Sequence, residues 1–484
     1  MNAVGTSRRL GSGRGQDSKP LLTSAVVCLL SLSLACQRTS EPPSRNSGSL
    51  SGAAVGRNVI LISLDTVRAD RLGAYGYSLQ GASPSPRIDA LLASGVRFDR
   101  SSAPRALTWP SLATVLTGLY PSAHGVVQNG YHFPEDVSTL PKILQARGYT
   151  TGRFLSNMCN ANHEGWDIGY CSKGVDSRIG PESFTWIDSL VDDAPIFLWA
   201  HYFGAHGPYY NGGDKADKRI DPGYRGIVAP KKKVLNRIMQ EEIPLTPRDI
   251  AHLDAIYDAA IMGTDRFVGE LLDGLEARGL LENSVVIFLA DHGEDLYQHH
   301  GYIYHACSVY QSGLEVPLGF MAKGLLPSGG VVNQNVELGD VVPTLLQMLA
   351  IEPPQELHGS SLVPYLLRPD ASGAGKPAFS EFEHTDIHTV VQGQWKLIDN
   401  PDDDPIYCLE GAPEDHYPVE TVELYDLSVD PGESNNVAAE HPQKVAELRE
   451  AIRERFSNLE QRSEEQEVPE ELKEELRALG YIAD

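Results

Sequence analysis

Residues 58–65 read NVILISLD, a short β-branched, apolar run that ends in a carboxylate. A run with no polar alternation is the signature of a strand buried on both faces, as in the middle of a parallel sheet. The pattern recurs in PIFLWAHYF (195–203) and NSVVIFLADHGE (283–294). Between these runs lie helical patterns closed by glycine, such as STLPKILQARG (138–148) and AIMGTDRFVGELLDGLEARG (260–279). Strands alternating with helices predict a three-layer α/β domain with a mostly parallel central sheet, over residues 57–365. Beyond it, WKLI (395–398), ELYDL (423–427) and the charged helix HPQKVAELREAIRERFSNLE (441–460) predict a smaller C-terminal α+β subdomain, 366–484. Within it, residues 463–482 read as a terminal helix that packs back by Leu479 and Tyr481. No internal repeat is visible.

The 484 residues carry 40 Lys plus Arg against 65 Asp plus Glu, a formal charge of −25. Such a surface repels phosphate backbones and argues against a nucleic-acid partner. The runs KKK (231–233) and DDD (402–404) read as solvated loops. At the N-terminus Arg8 and Arg9 precede an apolar run that ends at Cys36, the charge-then-apolar order of an export signal over residues 1–36. Ala35 before Cys36 resembles a bacterial lipoprotein signal, although Ser33 stands where a larger aliphatic residue is usual. Residues 37–56, rich in Ser, Pro and Gly, read as a flexible tether. The expectation is an exported chain on the periplasmic side or cell surface, touching membrane only through a lipid on Cys36. Four further cysteines remain: Cys159, Cys171, Cys307 and Cys408. Two bridges have three possible connectivities; Cys159 with Cys171 closes a short local loop and is preferred, and four free thiols are the alternative.

Ligands bind open α/β sheets beyond the carboxyl ends of the strands. Two of the strands deliver acids there, Asp65 and Asp291, the second followed by His292. An isolated buried carboxylate is costly, so either acid alone would read as a helix cap. Both together beside an imidazole make an oxygen/nitrogen shell for one divalent cation. In APRALTWPSLATVLTGLYPSAHG (103–125), Thr108 reads as the N-cap of a helix with Pro110 in its first turn and Gly118 at its end. A hydroxyl there, next to a cation, is also where an alkoxide would be stabilised for attack on phosphorus or sulfur. His206, in HYFGAHGPY, and His305, in QHHGYIYH with His299 and His300, are candidates for protonating a leaving oxygen.

Taken in order, NVILISLDTVRADRLGAYG, TWPSLATVLTGLYPSAHG, FLWAHYFGAHGPY, VVIFLADHGEDLYQHHGY, WKLI and ELYDLSVDPGESNN resemble the sulfatase family of the alkaline phosphatase superfamily, from about residue 57 to near the C-terminus. The resemblance implies an alkaline-phosphatase/sulfatase-like sandwich and one divalent ion. It implies Asp65, Asp291 and His292 as metal ligands, joined by Thr108 at the nucleophile position. His206 matches the histidine at the ester anion or leaving group, and His305 falls near a further anion contact. Three departures bear on the reaction. Threonine replaces the Cys or Ser that sulfatases oxidise to formylglycine, Leu112 replaces that motif's arginine, and Thr66 replaces a second acid. The Gly-Lys-x-His motif is missing too, with Ser156 and Asn157 near its place. Threonine serves as nucleophile in the superfamily's phosphoglycerol and phosphoethanolamine transferases. The expectation is therefore a metal-dependent hydrolase of anionic esters, biased toward phosphodiester or phosphoryl ester hydrolysis or transfer on a small-molecule, glycan or lipid-headgroup ester. The alternatives are sulfate-ester hydrolysis without formylglycine and a catalytically inactive tethered binding protein. Calcium, magnesium or manganese suits the shell, with zinc also open.

Overall fold

A computed structural model describes residues 49–484, apart from 160–163, 210–220, 241–242, 372–374, 383–384, 405, 407–418, 458, 460, 463–465, 467, 469, 471–472 and 475–484. The expected signal, Cys36, and Leu479 with Tyr481 lie outside the described residues. The run at 58–65 forms strand β1 (Asn58–Leu64), and from Val59 to Leu64 every residue is buried. It lies between two other apolar runs, β5 (Ile196–Tyr202) and β6 (Ser284–Ala290), both parallel to it. The remaining strands are β2 (Val96–Ser102), β3 (Thr150–Leu155), β4 (Ile168–Cys171), β9 (Glu315–Met321) and β10 (Gly330–Glu337). Their order is β10-β2-β9-β6-β1-β5-β3-β4, and β9 alone runs antiparallel to its neighbours. A short hairpin of β7 (Asp295–Leu296) and β8 (Ile303–Tyr304) follows β6.

Helices cover both faces of this sheet. One layer holds α1 (Pro86–Ala93), α3 (Ile179–Ser189) and the 31-residue α4 (Pro247–Ala277); the other holds α2 (Thr108–Thr117) and α5 (Val341–Met348). Helix α4 starts thirteen residues before the run quoted for it, because Thr246 and Asp249 build a capping box ahead of Pro247. A second sheet, β11 (Ala378–Glu381), β12 (His388–Gln392), β13 (Trp395–Asp399) and β14 (Val422–Asp426), is antiparallel throughout. It packs on α6 (Pro442–Phe456) through Val390, Leu397, Leu424, Leu448 and Ile452. The fold is thus the expected sandwich with a smaller C-terminal α+β part.

Three expectations need adjustment. The tether assigned to 37–56 does not extend to its last residues: Leu50 and Ala54 are buried, and the Gly52 and Ala54 amides donate to the carbonyls of Gln347 and Met348 at the end of α5. The KKK run leads into a helix, Lys232–Gln240, instead of a loop, while residues 402–404 do lie in a mostly exposed turn. Cys159 and Cys171 form the preferred disulfide, and Cys307 is also disulfide-bonded, so four free thiols are excluded.

Helix α2 is buried along its whole length and ends at Gly118, whose φ of 72° suits a residue without a Cβ. His124 braces it from behind. Its Nδ1 accepts from the Val126 amide (3.1 Å), and its Nε2 lies 3.1 Å from Thr114 Oγ1, which in turn donates to the Pro110 carbonyl. The ring therefore carries its hydrogen on Nε2, and protonating Nδ1 would turn an acceptor into a donor facing another donor. Burial pushes this imidazole down to about 3. Because the unfolded chain takes up that proton near pH 6.5, the stability tied to neutral His124 is complete above pH 6.5 and falls as pH drops below it. Between pH 7 and 5 this one residue should remove about 2 kcal/mol of stability. Denaturant titrations at the two pH values should give His124→Gln a pH slope shallower than wild type by that amount.

Candidate active site

The register of β1 on β6 sets the site. Leu64 pairs with Ala290, so the next residues, Asp65 and Asp291, emerge side by side at the carboxyl edge. The Asp291 amide donates to the Leu64 carbonyl (3.1 Å) and the Asp65 amide to the Tyr202 carbonyl (2.8 Å), which extends the ladder by one step on each side. Both acids and His292 are fully buried, and one ligand atom from each lies within 4.8 Å of the others. Both oxygens of Asp65 and Oδ2 of Asp291 have no hydrogen-bond partner among the described residues. Burial, aided by the charges of Glu294 and Asp176, pushes the Asp65 carboxyl well above the usual carboxylate range. Burial and the neighbouring Asp65 do the same to Asp291. Buried acids in this state lack a counter-charge, and a cation is the group that would supply it. The residues fit a divalent ion.

His292 is oriented for that role. Its Nδ1 faces the Gly293 carbonyl at 2.9 Å, so Nδ1 carries the hydrogen and Nε2 is left as a lone-pair donor. Nε2 stands 3.8 Å from Asp65 Oδ1, 3.9 Å from Asp291 Oδ1 and 3.3 Å from Thr108 Oγ1. The expectation that Thr108 caps α2 is not met. Leu107 occupies the cap position, no side chain caps the helix, and Thr108 is its first helical residue. The Trp109 amide is satisfied from outside, by Asn129 Oδ1 at 2.9 Å. Ser111 Oγ donates to the Asp291 carbonyl at 2.6 Å and ties the helix start to the end of β6. Thr108 is therefore released from capping, and its hydroxyl faces the cluster.

His206 and His305 lie beside this group. Their ring centroids are 4.8 Å apart, and the His305 ring is 4.5 Å from that of His292. His206 Nδ1 donates to the Gly207 carbonyl (2.6 Å), which leaves Nε2 as the nitrogen without a proton. Burial, then the His305 charge, holds His206 well below the ordinary imidazole value, and burial takes His305 down to about 3. Lys232, from the run assigned to solvent, adds to the lowering of His206. His299 lies elsewhere, stacked on Tyr310 with centroids 3.8 Å apart. Ser156 and Asn157 follow β3 at the same edge of the sheet, and Asn157 Nδ2 has no partner among the described residues.

Several residues of the site escaped the sequence reading. His201 lies inside β5, its Nδ1 2.9 Å from Ser63 Oγ and its Nε2 3.6 Å from Asp65 Oδ2. A histidine within so apolar a run was the available signal. Glu294 is fully buried, with Oε1 3.4 Å from His305 Nδ1. Asn129 is buried beside the start of α2, and its Nδ2 has no partner among the described residues. Thr66 has a φ of 57°, a conformation that costs a β-branched residue about 1–2 kcal/mol.

The chain has known counterparts. The family model described as Sulfatase matches residues 57–351, more than half of the chain, and that of the N-sulphoglucosamine sulphohydrolase C-terminal region matches 299–465. Arylsulfatase K of Xenopus laevis is 24% identical over 432 residues, covering 76% of this chain and 77% of that protein. A structure solved in complex with its substrate D-glucosamine-2-N,6-O-disulfate superposes with a TM-score of 0.65 at 20% identity, covering 85% of this chain and 100% of the other. The phosphonate monoester hydrolase of Agrobacterium radiobacter does so at 0.63 and 21%, covering 82% and 96%. At such identities these two structures speak for the fold alone. With the matched family model spanning most of the sheet and both acid-bearing strands, the chain belongs to the sulfatase family.

Proposed function

We propose that the protein hydrolyses phosphoric esters, phosphodiesters foremost, through a covalent phosphothreonine at Thr108. The observation that carries this reading is the Thr108 hydroxyl, 3.3 Å from His292 Nε2 at the mouth of the acid cluster. Formylglycine chemistry needs two hydroxyls on one carbon, so that one can attack and the other collapse to expel the anion. Thr108 has one hydroxyl and a methyl group, so its ester must be cleared by attack of water at the central atom. Phosphorus permits that step directly.

Asp65, Asp291, His292 and Thr108 Oγ1 would hold one hard divalent cation: calcium, magnesium or manganese. When bound, such an ion lends Lewis-acid stabilisation to anionic oxygens. The chain's own residues do the rest. Asn129 Nδ2, at the start of α2, offers a donor toward the ester oxygens. Thr108 Oγ1, its proton released to water, forms the bond to phosphorus as the bond to the departing alcohol breaks. His206, with Nδ1 fixed on the Gly207 carbonyl, takes up a proton on Nε2 from water as the incoming anion raises a pKa that burial keeps low, and hands it to that alcohol. His305 stands beside it as the second anion contact. Water then attacks phosphorus and the bond to Thr108 Oγ1 breaks, which restores the hydroxyl.

Sulfate-ester hydrolysis is the second reading, favoured by the names of the relatives. On either reading we propose a glycan ester as the substrate class, since one structural neighbour was captured with a sulfated glucosamine. We also read residues 1–36 as an export signal with a lipid on Cys36, which puts the enzyme outside the cytoplasm. Among the described residues no helix is long and apolar enough to cross a membrane.

Two measurements test the reading. Turnover of nitrophenyl sulfate, phosphate monoester and phosphate diester should be fastest on the diester, and Thr108→Ala should reduce it at least about 10³-fold. Sulfate as the preferred substrate would sink the phosphoryl assignment. His206→Ala should lower kcat about 10²–10⁴-fold for alkyl leaving groups, and far less for nitrophenolate, which departs without a proton. An equal loss on both would remove His206 from the leaving-group role.

A further inference from the structure

The strained backbone at Thr66 is held in place from two sides. The hydroxyl of Tyr257, on helix α4, donates to the Thr66 carbonyl at 2.6 Å and accepts from the Arg68 amide at 3.0 Å. The Thr66 amide, turned by its φ of 57°, donates to Asp291 Oδ1 at 3.2 Å. The same oxygen takes a second bond from the His292 amide at 2.7 Å, so Asp291 meets two fixed N–H groups on one oxygen and keeps Oδ2 without a partner among the described residues. Threonine prefers extended backbone, and in that conformation the Thr66 peptide would be rotated and its amide would leave Asp291. Tyr257 is fully buried, with its ring 5.7 Å from that of Tyr209, and it belongs to a 31-residue helix anchored by its own capping box.

We infer that Tyr257 is a positioning residue for the cation site: its hydroxyl latches the Thr66 peptide in the left-handed region and thereby aims Oδ2 of Asp291. This rests on the reading of Asp291 as a metal ligand. Residues that orient a ligand in this way contribute about 10–100-fold to metal affinity. The latch places that contribution in a phenol one layer behind the site, on an element with no ligand of its own.

The test is calorimetric titration of Mn²⁺ into the chelator-stripped full chain, without substrate. Wild type should bind one ion and Asp291→Ala none. Tyr257→Phe keeps the ring and its packing, and should bind Mn²⁺ at least tenfold more weakly. Thr66→Gly keeps the amide and pays nothing for positive φ, so alone it should bind within about threefold of wild type. In the double variant, glycine should recover most of the loss caused by Tyr257→Phe. Tyr257→Phe binding like wild type, or a loss that Thr66→Gly does not relieve, overturns the latch while leaving the cation site standing. If Tyr257→Phe does not fold, a tenfold loss in Thr66→Gly alone overturns it as well. Wild type and Asp291→Ala behaving alike would instead bring down the cation reading, and the latch with it.

Discussion

Everything at the reactive edge depends on one pairing, the parallel ladder of β1 on β6 with Leu64 opposite Ala290. A slip of one residue would exchange the faces of a whole strand and part the two acids. The ladder is secured less by its hydrogen bonds than by complete burial of Ile60, Ile62, Ile287 and Phe288, each contributing about 1.5–3 kcal/mol through desolvation. The apolar run at 58–64 is thus what holds Asp65 fully buried, its carboxylate without a hydrogen-bond partner among the described residues. Fold energy is stored at the site as electrostatic tension.

That tension gives the surrounding groups their sense. Asp65, Asp291 and Glu294 share a fully buried region with neutral imidazoles; burial first, and then like charges nearby, raises the acids and lowers the bases. A doubly charged cation would relieve the first shift, and an anionic ester the second. On the proposed reading the site takes two ligands of opposite charge, each of which makes the other easier to admit. Helix α2 contributes geometry to this arrangement. With its end closed by Gly118, its back braced by His124 and its start tied by Ser111 and Asn129, the helix holds the Thr108 hydroxyl 3.3 Å from His292 Nε2.

The sequence made the central strands legible because parallel interior strands show unbroken apolar runs, and it made Asp65, Asp291 and His292 legible because polar residues at the ends of such runs stand out. His201 was hidden by the same rule, lying inside the run instead of at its end. Asn129 and Glu294 were hidden because their meaning arises from contacts across the fold, at Trp109 and His305. The antiparallel β9 carries no local mark of its direction. Thr108 looked like a cap since Thr before Pro is a capping pattern; the helix begins one residue earlier in register than that pattern implies, with Leu107 in the cap position. The strain at Thr66 left no trace in composition, because only the tertiary partners Tyr257 and Asp291 require it.

The docked stretch from Leu50 to Gly56 settles an orientation. It enters the fold at the end of α5 and feeds directly into Asn58, the first residue of β1, whereas Asp65 stands at the opposite end of that strand. The seven residues between span about 23 Å at the rise of a parallel strand. The chain therefore enters the sheet at the edge opposite the one that carries Asp65 and Asp291.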